Sequence, residues 1–522
     1  MKDSPDLDLL RPSMDALATE ASGWLSRWWP EVVGAGLLVA SIILMRDIPI
    51  GHDAVWQMWI ARQLAHGARL YSDVLEVNPP LWFWMAVPLQ AVAEASGISP
   101  RAVLKCAIFG SLGLSLMLIA LLRPGPPRVR AGIYLGLLLA GTVVALPDFG
   151  QREQFTLLAT APWVALIAKR AEHKLVPAGL AALIGVFAAS GFALKPHFAL
   201  VPIVLEAWLA ITVRRVWIWR PELVVLSMCA AAYAAAVVLF ASDYFRVMVP
   251  MVLLSYGEFG KPPLFYLLFQ LAVPLSLVTG IGLYAGGGIR SRQGASALVA
   301  SLTFLACYFA QQKGWRYHSF PALGMLFICA GAEFASLRRT HRRGPAAVAL
   351  ASVMLTAVVE SLHIGPYANE RSAAAMQALA SVPRNEPVMV FAVGPFAMPA
   401  IEDLGLIWPS RMMSSWFVPA IVRGMQQGNL SPQLEALADK MRRQSLADLL
   451  CHPPERILID DERVSMHGNA SFFGYLDFYR MDPSTARFLD RYRPGPTFGH
   501  YLTLDLTDKA GLVPPDRCRD VF

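Results

Sequence analysis

Gly51-His52-Asp53-Ala54-Val55-Trp56-Gln57-Met58-Trp59-Ile60, with Leu75-Glu76-Val77-Asn78-Pro79-Pro80 further on, decides how the rest of the chain is read. Both segments lie between two membrane-length apolar runs, 28 to 46 and 102 to 122. Asp53 follows the first run closely, and Trp56, Trp59 and Ile60 after it are spaced as in an amphipathic helix along a membrane surface. In Glu76-Val77-Asn78-Pro79-Pro80 two prolines stiffen the backbone and remove two N–H donors beside a carboxylate. Carboxylates held this way at a membrane surface point to a reaction there, and the remaining sequence is read as their support.

The bulk composition agrees with a membrane setting. Of 522 residues, 55% are hydrophobic and only 16% charged, too apolar for a soluble protein of this length. A formal charge of +7 would suit nucleic acid, but the basic residues form short clusters between apolar runs, which is the pattern of membrane topology. Nucleic acid is therefore not expected as a partner. Met1 to Arg27 carries Asp3, Asp6, Asp8, Asp15 and Glu20 without a short apolar core and small-residue cleavage site, so it reads as a cytoplasmic segment and not a cleaved signal.

About eleven uncharged apolar runs have the length of membrane helices. Their cores are 28–46, 102–122, 131–147, 155–168, 175–194, 198–213, 222–241, 264–286, 295–311, 319–337 and 345–362. Alternate connections carry Arg123, Arg128 and Arg130; Lys169, Arg170 and Lys174; Arg214, Arg215 and Arg220; Arg290 and Arg292; and Arg338, Arg339, Arg342 and Arg343. Basic short loops stay cytoplasmic, so all five fall inside if the N-terminus does. The outer side then receives 47–101, 148–154, 195–197, 242–263, 312–318 and the tail from His363. Leu81 to Ser96, with Trp82, Phe83 and Trp84, would invert every later loop if it crossed, and is read as an interfacial or re-entrant helix with its tryptophans at headgroup depth.

The domain reading is a cytoplasmic segment 1–27, a membrane domain 28–364 with an outer loop 47–101, and a soluble α/β domain 365–522. In the tail, Val388–Val393 and Ile457–Ile459 read as buried strands and Tyr501–Asp505 as an alternating one, while Ser431-Pro432 opens a helix to about Leu450. Cys106, Cys229, Cys307 and Cys329 lie in apolar runs as small hydrophobes. Cys451 and Cys518 lie in the tail, where a disulfide and two free thiols are both open.

The chemical candidates cluster on the outer side, each with a plainer alternative. Asp53 is either a general base or a helix N-cap. Glu76 either faces a substrate or starts the next helix. Asp148-Phe149-Gly150-Gln151-Arg152-Glu153-Gln154 packs polar side chains densely into a short connection, and Arg152 either holds a phosphate or pairs with an acid. Lys195-Pro196-His197 and Gln311 to His318, with Lys313 and Arg316, put cations where a phosphorylated substrate or lipid headgroups would meet them. Glu206 and Glu333 lie within apolar runs nearer the inner ends, where structural hydrogen bonding is the simpler role. His52, Asp53, Glu76, Asp148 and Glu153 would offer ligands to Mg²⁺ or Mn²⁺, with a spacing that is not diagnostic. No phosphate loop, His-Glu-x-x-His, Cys-x-x-Cys or Gly-x-Ser-x-Gly occurs.

As an ordered set these residues resemble the GT-C glycosyltransferases, in the branch of protein O-mannosyltransferases and aminoarabinose transferases. The resemblance rests on Asp53 after the first run, Glu76 before Asn78-Pro79-Pro80, Asp148 after a later run, Lys195 in an outer loop, and Lys313-x-x-x-Tyr317-x-x-x-Pro321; it covers about residues 30–340. It implies a polytopic α-helical membrane protein of the GT-C fold, here followed by the soluble α/β tail read above, acting on the outer face of the cytoplasmic (inner) membrane. The implied reaction is transfer of a monosaccharide from a polyprenyl-phosphate donor to a cell-envelope glycan, such as lipopolysaccharide, or to a lipid or protein. By the resemblance Asp53 is the base, Glu76 and Asp148 line its cavity, and Lys195, Lys313, Arg316, Tyr317 and His318 hold the donor phosphate; Asn78, Arg152, Glu153 and His197 beside them are read as further substrate-binding residues. Two other readings remain open at this point. A flippase of lipid-linked saccharide predicts internal symmetry, and a polysaccharide polymerase or ligase predicts an Arg-rich outer loop, where 242–263 has only Arg246 and Lys261.

Overall fold

The computed structural model describes residues 11–215, 217–260, 262–337, 344–461 and 474–507, with side chains from Ser26 onward. Asp3, Asp6, Asp8, Lys261, Arg338, Arg339, Arg342, Arg343 and Cys518 lie outside these residues, as do the side chains of Asp15 and Glu20. The membrane half runs α1 (Arg11–Met45), α2 (His52–Ala65), α3 (Leu81–Ser96), α4 (Pro100–Leu122), α5 (Pro127–Leu139), α6 (Arg152–Ala171), α7 (Ala178–Phe192) and α8 (Leu200–Val213). It continues through α9 (Pro221–Phe240), α10 (Val249–Ser255), α11 (Leu264–Leu268), α12 (Ala272–Ala285), α13 (Arg292–Gln311), α14 (Arg316–Ser336) and α15 (Gly344–Ile364). Every one of the apolar runs is helical, and among the described residues 8 helices are long and apolar enough to cross a membrane. The run 264–286 is not continuous; it breaks between α11 and α12 at Phe269–Leu271, where Gln270 turns toward a cavity.

Local chemistry sets several helix starts. Ser99 and Ser291 accept hydrogen bonds from Ala102 N (3.3 Å) and Gly294 N (2.8 Å), satisfying first-turn donors. Helix α14 is buried along most of its length and forms the centre of the bundle. It crosses α5 so closely that a Cβ on Gly132 or Gly331 would run into the other's carbonyl, which is why small residues stand there. Glu333 in α14 accepts from Arg290 N, Ser291 N and Ser291 Oγ, so this carboxylate pins the start of α13.

The tail builds a mixed four-stranded sheet of order β1-β2-β4-β3 from β1 (Val388–Phe391), β2 (Arg456–Asp460), β3 (Tyr492–Pro494) and β4 (Tyr501–Leu506). Strands β1 and β2 are parallel; β4 runs antiparallel to both β2 and β3. The helix from Ser431 is present as Pro432–Cys451, with the Ser431 hydroxyl accepting from Leu434 N at 3.2 Å.

The outer loop departs from the surface reading. Trp56, Trp59 and Ile60 of α2, Tyr71, Val74 and Leu75 of the link, and Phe83 of α3 belong to the same apolar cluster as Phe391, Ile401, Phe417 and Ile457 of the tail. Trp56 and Trp59 stack at 4.5 Å inside that cluster instead of lying in headgroups. Trp82 is likewise buried and donates to Gln57, while Trp84 packs edge-on against Tyr233 at 6.3 Å. Leu75 N donates to Arg411 O at 2.7 Å and the Arg62 guanidinium meets both oxygens of Glu402, at 3.0 and 2.7 Å. A large apolar contact to the tail outweighs the headgroup affinity of Trp56 and Trp59, because full burial of each ring contributes about 2–3 kcal/mol.

Candidate active site

The outer-loop segments converge at one end of the bundle, beneath the tail. There α2, the 75–78 link, the start of α6, the 256–270 segment and the start of α14 enclose a cavity of about 570 Å³ roofed by Val393–Phe396 and Met413, Ser414 and Trp416. A second cavity of about 460 Å³ lies beside it, against Lys195, His197, Lys313 and His318. Asn78, Arg152, Tyr256 and Tyr317 line both. Acids line the first chamber and the lysines lie against the second.

Asp53 stands in the first turn of α2, whose N-cap is Gly51, so its side chain is not spent on capping. Its Oδ2 accepts from Gln151 Nε2 at 3.2 Å, and Oδ1 lies 3.5 Å from His52 Nε2. His52 is held from the tail: Nδ1 is 2.9 Å from the Tyr367 hydroxyl, and the ring meets Phe396 edge-on. The Ser372 hydroxyl donates to Phe396 O (2.6 Å), so it accepts from Tyr367 (2.9 Å), whose oxygen is then left to accept from His52 Nδ1–H. Burial pushes the Tyr367 phenol up to about 12, which keeps it protonated as a donor. This direction of donation commits Nδ1 to Tyr367 and turns Nε2 toward Asp53.

Glu76 borders the same cavity but its oxygens are occupied. Oε2 accepts from Trp56 Nε1 at 2.8 Å, and Oε1 from Asn78 N and Asn78 Nδ2 at 3.0 and 2.5 Å. It is the staple of the Asn78-Pro79-Pro80 turn, where the prolines contribute no donors of their own. Glu76→Ala leaves three donors unmatched in a buried position, and unfolding of the purified protein is expected at a stability lower by about 1–3 kcal/mol. Glu76→Gln, which keeps one acceptor oxygen, falls between; equal melting temperatures for wild type and Glu76→Ala contradict the staple.

Asp148 closes a short 3₁₀ turn, Leu146–Asp148, that follows a π-helical turn, Ala140–Val144, and the two re-aim the chain at the end of α5. Its Oδ2 pairs with Arg316 Nη1 at 3.2 Å, while Arg316 Nη2 reaches Glu360 (3.0 Å) and Ser361 (2.8 Å). Burial holds the Asp148 carboxyl above the usual carboxylate range, with Arg316 opposing. Arg316 borders the cavity, and Asp148 stands behind it as its partner.

The cations divide into spent and unspent. Lys195 Nζ is 2.5 Å from Glu153 and 3.0 Å from Gln311 Oε1, and burial pulls its ammonium below the usual lysine range, with Glu153 opposing. Lys313 Nζ donates to the Tyr256 and Phe259 carbonyls and lies 4.1 Å over the Tyr256 ring, so it ties the 256–259 turn to α14. Arg152 is different: it is buried, both cavities touch it, and its Nε and Nη1 make no hydrogen bond. A buried guanidinium in the wall of two chambers, with two of its nitrogens making no hydrogen bond, is a candidate anion site. His197 Nε2 and His318 Nδ1 are also buried without hydrogen-bond partners.

Thus all the expected site residues lie at this end of the bundle. Sequence reasoning missed Tyr367, Tyr256, Phe259 and the two tail loops of the roof; of these, only Gly394-Pro395 after a strand carried a local signal. The five residues weighed as a cation site do not assemble as one, because Glu76 is committed to Trp56 and Asn78, and Glu153 to Lys195. Among the described residues no group of three or more His, Cys, Asp or Glu side chains is arranged to hold a metal ion.

No family model matches the chain, and no curated protein matches it in sequence. In structure it is similar to ArnT from Cupriavidus metallidurans, both in a crystal structure bound to undecaprenyl phosphate and in the apo state. Each gives a TM-score of 0.54 at 13% identity, covering 95% of this chain and 100% of that one. The cryo-EM structure of the arabinofuranosyltransferase AftD from Mycobacteria gives 0.46 at 15% identity, over 93% of this chain and 40% of its own. With a polytopic helical half, a small-sheet tail and a cavity between them, the chain has the fold of the GT-C glycosyltransferases.

Proposed function

We propose that the protein is an inverting membrane glycosyltransferase that moves one monosaccharide from a polyprenyl-phosphate donor to a hydroxyl of a cell-envelope glycan, lipid or protein. The observation that carries this reading is Arg152, a buried cation with free donors in the wall between an acid-lined and a lysine-lined chamber. The sugar phosphate sits at Arg152, with its polyprenyl chain leaving through the second chamber toward the lipid. The acceptor hydroxyl comes from the first chamber, under the tail. Its oxygen attacks the anomeric carbon, its proton passes to Asp53, and the bond to phosphate oxygen breaks with the electron pair going to the polyprenyl phosphate beside Arg152. One displacement inverts the centre, and no second carboxylate nucleophile is required.

Support comes from the fold and from the undecaprenyl phosphate bound by ArnT. The active end faces away from the cytosol by the charge of the connecting loops, in the inner membrane. Aromatic side chains at the roof, Phe396 and Trp416, suit the faces of a sugar acceptor. The test incubates purified protein with radiolabelled polyprenyl-phosphate monosaccharides and envelope fractions. The expected result is label in a glycan, lipid or protein product with the opposite anomeric configuration; label that crosses proteoliposome membranes still attached to its lipid would indicate a flippase instead.

A further inference from the structure

A third cavity, of about 530 Å³, lies where the ends of α6, α8 and the α8–α9 connection meet. Helix α6 begins at Arg152 and reaches Arg170 after eighteen residues, so this cavity is about 27 Å from the candidate active site, close to the thickness of a bilayer's hydrocarbon core. It serves none of the chemistry described above. Its walls carry Arg170, Lys174, Arg215 and Arg220 against Glu206.

The interior is incompletely matched in a particular way. Arg170 is satisfied by Glu222, with two contacts of 2.9 Å. Arg220, only 3% exposed, meets Glu206 through Nη2, yet its Nη1 makes no hydrogen bond and sits 3.4 Å from Glu222 Oε1. Glu206 Oε1 is likewise buried without a donor. A ligand that completes the site brings an anionic oxygen to Arg220 and a hydroxyl to Glu206. Counting Glu222, four permanent cations face two carboxylates, so the ligand is a net anion.

The mouth identifies its source. Leu175, 92% exposed, stands at the rim with Trp217 and Ile218, and Trp219 follows them, all at the ends of membrane helices where apolar and indole side chains meet headgroups. A soluble anion has no use for such a rim, whereas a lipid's acyl chains do. We infer that this cavity is a headgroup site for an anionic phosphoglycerol lipid of the leaflet opposite the active site, its phosphate at Arg220, Lys174 and Arg215 and its glycerol hydroxyl at Glu206.

The experiment is native mass spectrometry of the full chain in detergent, titrated with phosphatidylglycerol and with phosphatidylcholine of the same acyl chains. Phosphatidylglycerol is expected to bind, and Lys174→Ala/Arg215→Ala to weaken it by about tenfold or more, since each cation near a lipid phosphate contributes substantially. Both side chains sit at the cavity mouth, and an unchanged melting temperature shows that the variant folds. Arg152→Gln, at the other end of the bundle, leaves this binding intact. The inference is overturned if phosphatidylcholine binds equally well, if the double variant retains wild-type affinity, if Arg152→Gln abolishes binding, or if sn-glycerol 1-phosphate competes at the same concentration as the lipid.

Discussion

Asp53→Asn is expected to lower sugar transfer by roughly 10²–10⁴-fold while leaving affinity for polyprenyl phosphate unchanged. Asparagine has the same shape and keeps an oxygen for Gln151 Nε2, so the start of α2 and the cavity wall persist. What it loses is basicity: an amide cannot take the acceptor's proton. The comparison is made by single-turnover transfer with saturating donor, alongside a binding measurement. A variant that turns over at the wild-type rate removes Asp53 from the role of base. One that fails to bind donor assigns it to binding.

Arg152→Gln is expected to weaken polyprenyl-phosphate binding by about 10–100-fold, the scale of one or two charged hydrogen bonds in a buried setting. Because Arg152 lies in the field of Glu153, Glu76 and Asp53, its removal also leaves neighbouring carboxylates less compensated. Arg152→Lys separates the two effects: it restores the charge and the fold but not the forked donors, and recovers affinity only in part. Lys195→Ala is a poorer probe, since it strands the fully buried Glu153 and costs about 3–5 kcal/mol for reasons unrelated to substrate. Unchanged donor affinity in Arg152→Gln, measured with folded protein, would move the phosphate away from the shared wall.

Particular residues show how much was legible. Asp53, Glu76 and Arg152 stood out because charged groups beside membrane-length apolar runs are costly and conspicuous. Their roles were not visible. Glu76 looked as reactive as Asp53, and only the indole of Trp56 and the amides of Asn78 distinguish a carboxylate whose oxygens are occupied from one that is open. Lys195 and Arg152 looked alike as phosphate ligands until Glu153 was found paired with the lysine, and Nε and Nη1 of the arginine were found without hydrogen bonds.

The sequence alone determined the helical runs, apart from the break at Phe269–Leu271, three of the four tail strands, and the end of the bundle at which the polar loops gather. Apolar length, N-terminal caps and loop charge are properties of consecutive residues and act wherever the chain folds. Tertiary structure decided that Trp56 and Trp59 pack with the tail and Trp82 in the core of the bundle and not among headgroups, that Tyr367 orients His52 from more than 300 residues away, and that two chambers share Arg152. Those outcomes depend on which donors and surfaces meet after distant segments close on one another, and a hydrogen bond formed there leaves no periodicity in the chain.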